Sequence, residues 1–354
     1  MDTARENKIN TKMAVWAITP NGILLGLRLC ACFENTTFFI PEKKALPANK
    51  LEPFKIRRFN QLKDELCNQF RKFTVHVFIF STGISVRLIA PLLLSKTTDP
   101  AVVVVDEKGY SAISLISGHL GGANQWAAEI GKAINAVPVI TTATDINHLP
   151  SIDLLSQKAD LYIENPGAIK KVNMKFLKGQ PLVIDDPKGL ITPLIPDVFI
   201  GPWPEKKRAP DLLCSWKTKK VSRETLILRP RVLIVGIGCN RGTPHDKMIK
   251  FLCQTFERQG LSLNSISILA TTEVKADESG ILELSKTLNC PIHFYGRTEL
   301  NSVETIENPS KMAEKYLGVK SVCEAAAILG AQRGQLIVPK QKTREITLAI
   351  AVPE

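Results

Sequence analysis

No apolar stretch in the sequence approaches the ~18 residues that cross a bilayer. The run at residues 88–94 is short and is interrupted by Pro91. The opening residues, MDTARENKINTK, lack the apolar core of a secretory signal, so a cytoplasmic protein is expected. The eight cysteines, at positions 30, 32, 67, 214, 239, 253, 290 and 323, include no Cys-x-x-Cys pair, and none lies near a His-x-x-x-His. A protein-held metal cluster is therefore not expected, and neither is a disulfide framework; reduced, mostly buried thiols are. Aromatic residues are scarce, at 6%, and no RNA- or DNA-binding signature appears, which makes nucleic acid the weakest of the anionic partners.

What is present is an ordinary globular composition, 44% hydrophobic and 23% charged over 354 residues. That length suggests two or three domains at ~100–200 residues each. The net charge is +12 and unevenly spread: residues 168–231 hold 14 Lys or Arg against 6 Asp or Glu. Such a surplus suits an anionic partner such as a multiply charged small molecule, or forms a solvated linker face.

Short β-branched runs alternate with helical patterns through residues 1–150. Strands are predicted at 13–19, 75–80, 101–105, 110–116 and 138–141, with helices at 21–30, 82–94 and 122–135. Strands without clean polar alternation, separated by helices, predict a mostly parallel sheet covered on both faces. Residues 151–230 carry the basic surplus and eight prolines from 181 onward, the pattern of a small subdomain with a linker. From 231 to 354 a separate α/β pattern follows, with strands at 232–236, 265–269 and 292–295, helices between them, and two closing strands. The expected fold class is α/β, a mostly parallel amino-terminal domain, a small middle region and a separate carboxy-terminal domain.

Six segments have the residue types of a site. Ser117-Gly118-His119-Leu120-Gly121-Gly122-Ala123-Asn124 lies between a strand and a helix, where paired glycines turn amide groups toward a ligand. His119 is suited to acid–base work near neutral pH, or it caps a tight turn. Thr82 and Gly83 follow a strand and lead to Arg87, whose planar fork suits a carboxylate. Thr141-Thr142-Ala143-Thr144-Asp145 is a strand end of the same kind, and in a parallel sheet these three loops would converge on one edge. Gly236-Ile237-Gly238-Cys239-Asn240-Arg241-Gly242 resembles a dinucleotide fingerprint, but Arg241 stands where its third glycine belongs. Thr243 before Pro244 reads as a helix N-cap, with Asp246 completing a variant capping box. Lys275 and Glu278 lie where a fifth loop enters a helix, and Ser321-Val322-Cys323-Glu324 fits a capping box.

The run GISVRLIAPLLLSKTTDPAVVVVDEKGYSAISLISGHLGGAN, followed by PVITTATD, resembles the amino-terminal domain of the cobalamin biosynthesis protein G family. GIGCNRGT, ATTEVKADESG and SVCEAAAIL resemble its carboxy-terminal domain, which is similar to a stand-alone protein of the aerobic cobalamin pathway. The resemblance implies cobalt-precorrin-5A hydrolase activity: opening of a ring-A acetate δ-lactone on a cobalt tetrapyrrole, with release of acetaldehyde. It implies no resident cofactor, since cobalt arrives within the substrate, and leaves room for transient contact with neighbouring methyltransferases of the pathway. Membrane and nucleic acid are not expected partners.

From loop position, the expected catalytic groups are His119, with Glu324 or Glu278 as alternative bases, and the amides of Gly121, Gly122 and Ala123 as oxyanion donors. Arg87, Lys96, Arg241 and Lys275 are expected to hold the peripheral carboxylates. The remaining substrate-lining candidates are Thr82, Gly83, Ser117, Asn124, Thr142, Asp145, Gly238, Cys239 and Gly242, together with Gly121 and Gly122. Two readings compete with the hydrolase. One is a nucleotide-dependent protein, disfavoured by the missing Walker Lys-Ser/Thr; the other is a non-catalytic carrier of tetrapyrrole intermediates.

Overall fold

The computed structural model describes residues 11–46, 54–95, 98–203 and 209–354. The chain divides into two compact units, Met1–Leu154 and Leu155–Glu354. The first holds β1 (Met13–Ala17), α1 (Pro20–Cys30), β2 (Thr36–Pro41), β3 (Lys55–Phe59), α2 (Leu62–Gln69), β4 (Val75–Ile79) and α3 (Thr82–Ile89). It continues through β5 (Ala101–Val105), β6 (Ser111–Ile116), α4 (Ala123–Ile134), β7 (Val137–Val139), α5 (Ala143–Ile146) and the start of α6 (Ile152–Lys158). The seven strands lie in the order β3-β2-β1-β4-β5-β6-β7.

Alternation is missing from β1, β4 and β5 because both their faces are buried. Val15, Val77 and Val103 meet Leu29 and Ile130 of α1 and α4 on one side. Trp16, Phe78 and Val104 meet Leu66, Phe70 and Ile89 from α2 and α3 on the other. A hydrophobic run with no polar phase is what such a sheet requires.

The sheet is not parallel throughout. β1 to β5 share one direction, but β6 runs antiparallel to β5, and β7 follows β6. Residues 106–110 alone separate β5 from β6, far fewer than the dozen or so a parallel crossover needs. Asp106 makes the reversal by accepting from the Lys108 amide at 3.0 Å and the Ser111 amide at 2.7 Å. The carboxyl ends of β6 and β7 therefore emerge where β1 to β5 begin. The expected convergence of three loops fails: the segment carrying Thr82, Gly83 and Arg87 leaves the opposite edge from the segments carrying His119 and Asp145.

The second unit carries two sheets. β8 (Leu161–Ile163), β9 (Ile184–Asp185), β10 (Leu212–Cys214) and β11 (Leu226–Pro230) form a four-stranded sheet in the order β8-β11-β10-β9, with α7 (Ile169–Leu177) between β8 and β9 in sequence. Buried Arg229 ties it down, donating to Glu164 and to the carbonyls of Ser215 and Lys217.

β12 (Leu233–Cys239), α8 (His245–Gln259), β13 (Ile266–Thr272), α9 (Ser279–Leu288), β14 (Ile292–Tyr295), α10 (Arg297–Asn301), α11 (Lys311–Leu317), α12 (Cys323–Gly330), β15 (Gln335–Lys342) and β16 (Ile346–Val352) complete the chain. Their sheet runs β14-β13-β12-β16-β15, with β12 to β14 parallel and the last two strands antiparallel. Helix α12, whose Ala325, Ala326 and Ala327 are buried, lies directly on β12. A Cβ at Gly236 would fall 1.8 Å from the Cys323 carbonyl oxygen, so this contact admits glycine alone.

Helix α8 starts one residue later than its sequence signal. Pro244 is the N-cap, because the Thr243 hydroxyl donates backward to the Asn240 carbonyl at 2.7 Å instead of capping the helix. Among the described residues no helix is long and apolar enough to cross a membrane, and the eight cysteines are free thiols.

Candidate functional site

The most concentrated set of polar side chains in the first unit forms where β6 and β7 end. After β6 the backbone enters the left-handed region at Ser117, with φ 56°, an arrangement that costs a non-glycine residue energy. The Ser117 carbonyl then accepts from the Ala123 amide at 3.1 Å, and the Gly118 carbonyl from the Asn124 amide at 3.1 Å. Gly122 closes the loop at φ 83° and serves as the N-cap of α4. This tight loop pushes the His119 ring toward the turn after β7.

The imidazole is held at both nitrogens. Nε2 lies 2.8 Å from Asp145 Oδ2 and 3.1 Å from the Thr144 hydroxyl; Nδ1 lies 3.2 Å from both Asp153 Oδ2 and the Ser151 hydroxyl. Two carboxylates facing one ring favour the form in which both nitrogens carry protons. Asp153 foremost, with Asp145, raises the His119 pKa above its ordinary value against burial, which pulls it down. Burial pushes the Asp145 carboxyl upward, but Thr142, His119 and Asn124 outweigh it and hold the carboxyl below its ordinary range.

Asp145 Oδ2 collects its contacts from the Thr142 hydroxyl, His119 Nε2 and Asn124 Nδ2, the last at 3.1 Å. Its Oδ1 makes no hydrogen bond among the described residues, and the side chain is 32% exposed against 17% for His119 and 7% for Asp153. Asn124 is fixed in turn by donating to Thr142 at 2.9 Å and accepting from the Ser114 hydroxyl at 2.6 Å. Asp145 Oδ1 is thus the open, ionised oxygen of a braced pair.

Ser117, Gly121, Gly122, Asn124, Thr142 and Asp145 all belong to this assembly with His119. The Gly122 and Ala123 amides, expected as oxyanion donors, are engaged by the carbonyls of His119 and Ser117, which leaves Gly121 from that trio. A Cβ on Gly121 would lie 2.4 Å from Ser117 Cβ, and the buried Ser117 hydroxyl makes no hydrogen bond among the described residues. Thr82, Gly83 and Arg87 lie at the other edge, with Arg87 exposed on the last turn of α3. Lys96 falls outside the described residues.

Sequence reasoning missed Ser151 and Asp153, and it named Thr144 only within a candidate segment, with no role. The spacing Ser151-x-Asp153 ahead of α6 was the available sign, since Ser and Asp together mark a helix start.

In the second unit the parallel strands β12 and β13 do bring their loops to one edge. Glu278, nearly fully buried, accepts from the Gly242 amide at 2.8 Å and from Lys275 Nζ at 3.2 Å. Cys239 sits nearby, its thiol pushed up to about 11 by burial, which leaves it protonated at neutral pH. Arg241 is spent on Asp277 at 2.8 Å, in an exposed pair. A Cβ on Gly238 would meet the Thr347 hydroxyl at 2.7 Å and Val322 at 3.8 Å, so the start of α12 reaches the same edge.

Glu324 departs from the expected capping box. Ser321 Oγ accepts from the Glu324 amide at 3.4 Å, but the carboxylate does not return to Ser321. It is fully buried and accepts from the Asn308 amide at 2.9 Å, the Asn308 side chain at 3.0 Å and the Lys340 amide at 2.9 Å. Burial pushes its pKa up, but these donors prevail and hold it below the ordinary range. Both oxygens are committed to tying β15 to residue 308, which suits a brace and not a base. Among the described residues no three His, Cys, Asp or Glu side chains are grouped as metal ligands.

Comparison with known proteins agrees with this two-part architecture. A family model for the cobalamin synthesis G N-terminal region matches residues 64–145, and one for the cobalamin synthesis G C-terminus matches residues 233–351. A cobalt-precorrin-5A hydrolase of Priestia megaterium is 30% identical over 96% of this chain and 94% of its own. Another, from Salmonella typhimurium, is 30% identical over 99% of both chains. Protein CobE of a Sinorhizobium species is 31% identical over 34% of this chain and 80% of its own.

Proposed function

The chain belongs to the cobalamin synthesis G family, and from that premise we propose that it is a cobalt-precorrin-5A hydrolase. The observation that carries this reading is 30% identity over nearly the whole chain to two bacterial proteins of that name. The reaction opens a lactone on a cobalt tetrapyrrole and releases a two-carbon unit as acetaldehyde. Cobalt enters with the substrate and needs no resident site.

The chemistry divides into two proton transfers. In lactone opening, water adds to the lactone carbonyl of the ring-A acetate and its proton passes to a base; the ring C–O bond breaks and its oxygen takes up a proton, becoming a hydroxyl on the carbon that bears the methyl group. In the second step a base takes that hydroxyl proton, the C–O bond becomes C=O, and the C–C electron pair returns to the macrocycle. Asp145 Oδ1 is the base in both steps, being ionised, open and anchored through its other oxygen. Between the steps Asp145 passes its first proton to the His119 ring, which has given its own to the departing oxygen. A carboxylate of depressed pKa is a weak base, so its value lies in position and in the His119 imidazolium beside it, which can return a proton to the departing oxygen. Asp153 keeps that imidazole charged and oriented from the far nitrogen.

Acetaldehyde release from cobalt-precorrin-5A, read with a coupled aldehyde reductase, tests the proposal. Turnover by the purified protein and its loss in Asp145→Asn are expected. Tetrapyrrole binding with no aldehyde from the unaltered protein would make it a carrier and end the hydrolase reading.

A further inference from the structure

A cavity of about 500 Å³ opens beside the starts of β1, β2 and β3, and its lining includes Lys12, Lys55, Arg57, Gln69 and Lys72. Four of these are cationic and none is acidic. Among the described residues, Lys12, Lys55, Arg57 and Lys72 take part in none of the molecule's ion pairs. The lining residue Gln69 donates from Nε2 to Glu65 at 3.0 Å.

The four charges come from separate pieces of chain: the approach to β1, strand β3 and the turn after α2. On β3 the side chains at 55, 57 and 59 share a face, and Phe59 closes the aromatic core there while Lys55 and Arg57 continue the face into the cavity. Inward charges on an edge strand guard against unwanted pairing, which would account for Lys55 and Arg57. It does not account for Lys12 and Lys72 arriving from elsewhere. Like charges gathered in a concave site repel one another and focus a positive potential, an arrangement that an anion relieves.

The cavity and the His119 loop share one edge of the sheet, because the reversal at residues 106–110 turned β6 and β7 around. β1, which Lys12 leads into, lies three strand spacings from β6, and β3, which carries Lys55 and Arg57, lies five, separations of roughly 14 and 24 Å at ~4.8 Å per strand. The nearer separation is on the scale of a tetrapyrrole with its arms extended, and the β3 cations form the outer rim of the cavity. The geometry points to a docking site for the peripheral carboxylates of a multiply carboxylated tetrapyrrole, holding the far side of the ring while the lactone side meets Asp145. The ligand's identity rests on the hydrolase reading; the anion preference of the cavity does not.

Quenching of uroporphyrin III fluorescence by the full chain measures this directly, with the uncharged octamethyl ester as the control. The acid is expected to bind in a salt-sensitive manner and the ester weakly. Lys55→Glu with Arg57→Glu is expected to weaken the acid at least ~tenfold, the loss of about one charged hydrogen bond. Because Arg57 is half-buried, Lys12→Gln with Lys55→Gln, both exposed, provides a second variant with the same direction of effect, and thermal unfolding verifies that each folds. Unchanged porphyrin affinity in both folded variants overturns the site. So does tight citrate or phosphate binding that depends on these residues while porphyrin is unaffected, for then the cavity serves a small free oxyanion. With cobalt-precorrin-5A the same variants are expected to raise KM and spare kcat. Failure of the unaltered protein to release acetaldehyde would remove the hydrolase reading and leave the porphyrin result standing.

Discussion

Two histidines of the first unit, His76 in the middle of its sheet and His119 at its edge, have opposite surroundings. His76 is fully buried on β4, with Trp16 Nε1 donating to its Nδ1 at 3.1 Å and its Nε2 set 2.9 Å from the Phe70 carbonyl. One nitrogen accepts and the other donates, so the ring is neutral, and burial lowers its pKa to about 4. His119 meets a carboxylate at each nitrogen and is held charged. The core asks of histidine a flat, uncharged filler with two fixed polar ends; the edge asks for a cation that organises two acids.

The sharpest way to break this contrast is to remove each ring in turn. His119→Ala or Asp153→Asn is expected to lower kcat by ~100-fold or more, the usual weight of positioned acid–base chemistry. His76→Phe is expected to leave kcat of the folded protein near normal. That replacement costs about 1–3 kcal/mol at neutral pH, since Trp16 N–H and the Phe70 carbonyl lose their partner.

Acid comes next in size. A histidine whose folded pKa lies below its unfolded value favours the native state above the unfolded pKa, and that advantage fades as pH falls. From 6.5 toward about 4, His76 therefore costs the fold as much as ~3 kcal/mol. Urea unfolding at stepped pH measures it, and His76→Phe should flatten the slope. His119 has the reverse sign: its raised pKa stabilises at low pH, and the contribution is lost as pH climbs through the folded pKa. The opposite dependence is expected as pH rises above the ordinary histidine value, absent in His119→Ala. Least of all, Arg241→Ala is expected to leave the urea unfolding midpoint essentially where it was, since its pair with Asp277 is exposed and screened by solvent.

Much of the fold was legible. Runs such as AVVVV and VHVFIF predict fully buried strands, and the glycine loops of both halves lie where strand gives way to helix. The mostly parallel sheet is as expected, and only the reversal at β6 was not foreseen, although the few residues between β5 and β6 leave no room for a crossover. β2, β3 and α2 were passed over; Lys55–Phe59 is mostly basic, and Thr36–Pro41 ends on a proline, which lowers its strand signal. At the site, His119, Asn124, Thr142 and Asp145 were named from loop position alone. Asp153 was not, because its partner lies 34 positions away and no local pattern records such a pairing. Glu324 was named both for a capping box and as an alternative base, since a capping signature says nothing of Asn308 or Lys340.

The bare backbone at Gly236 has a bearing on how mutational screens of this protein are interpreted. It opens the most ligand-like sequence in the second unit, yet its neighbour is the Cys323 carbonyl of α12. Alleles at 236 should therefore surface as poor expression or heat sensitivity, with normal kinetics in whatever fraction folds, and a tally of inactive clones would wrongly assign the position to substrate contact.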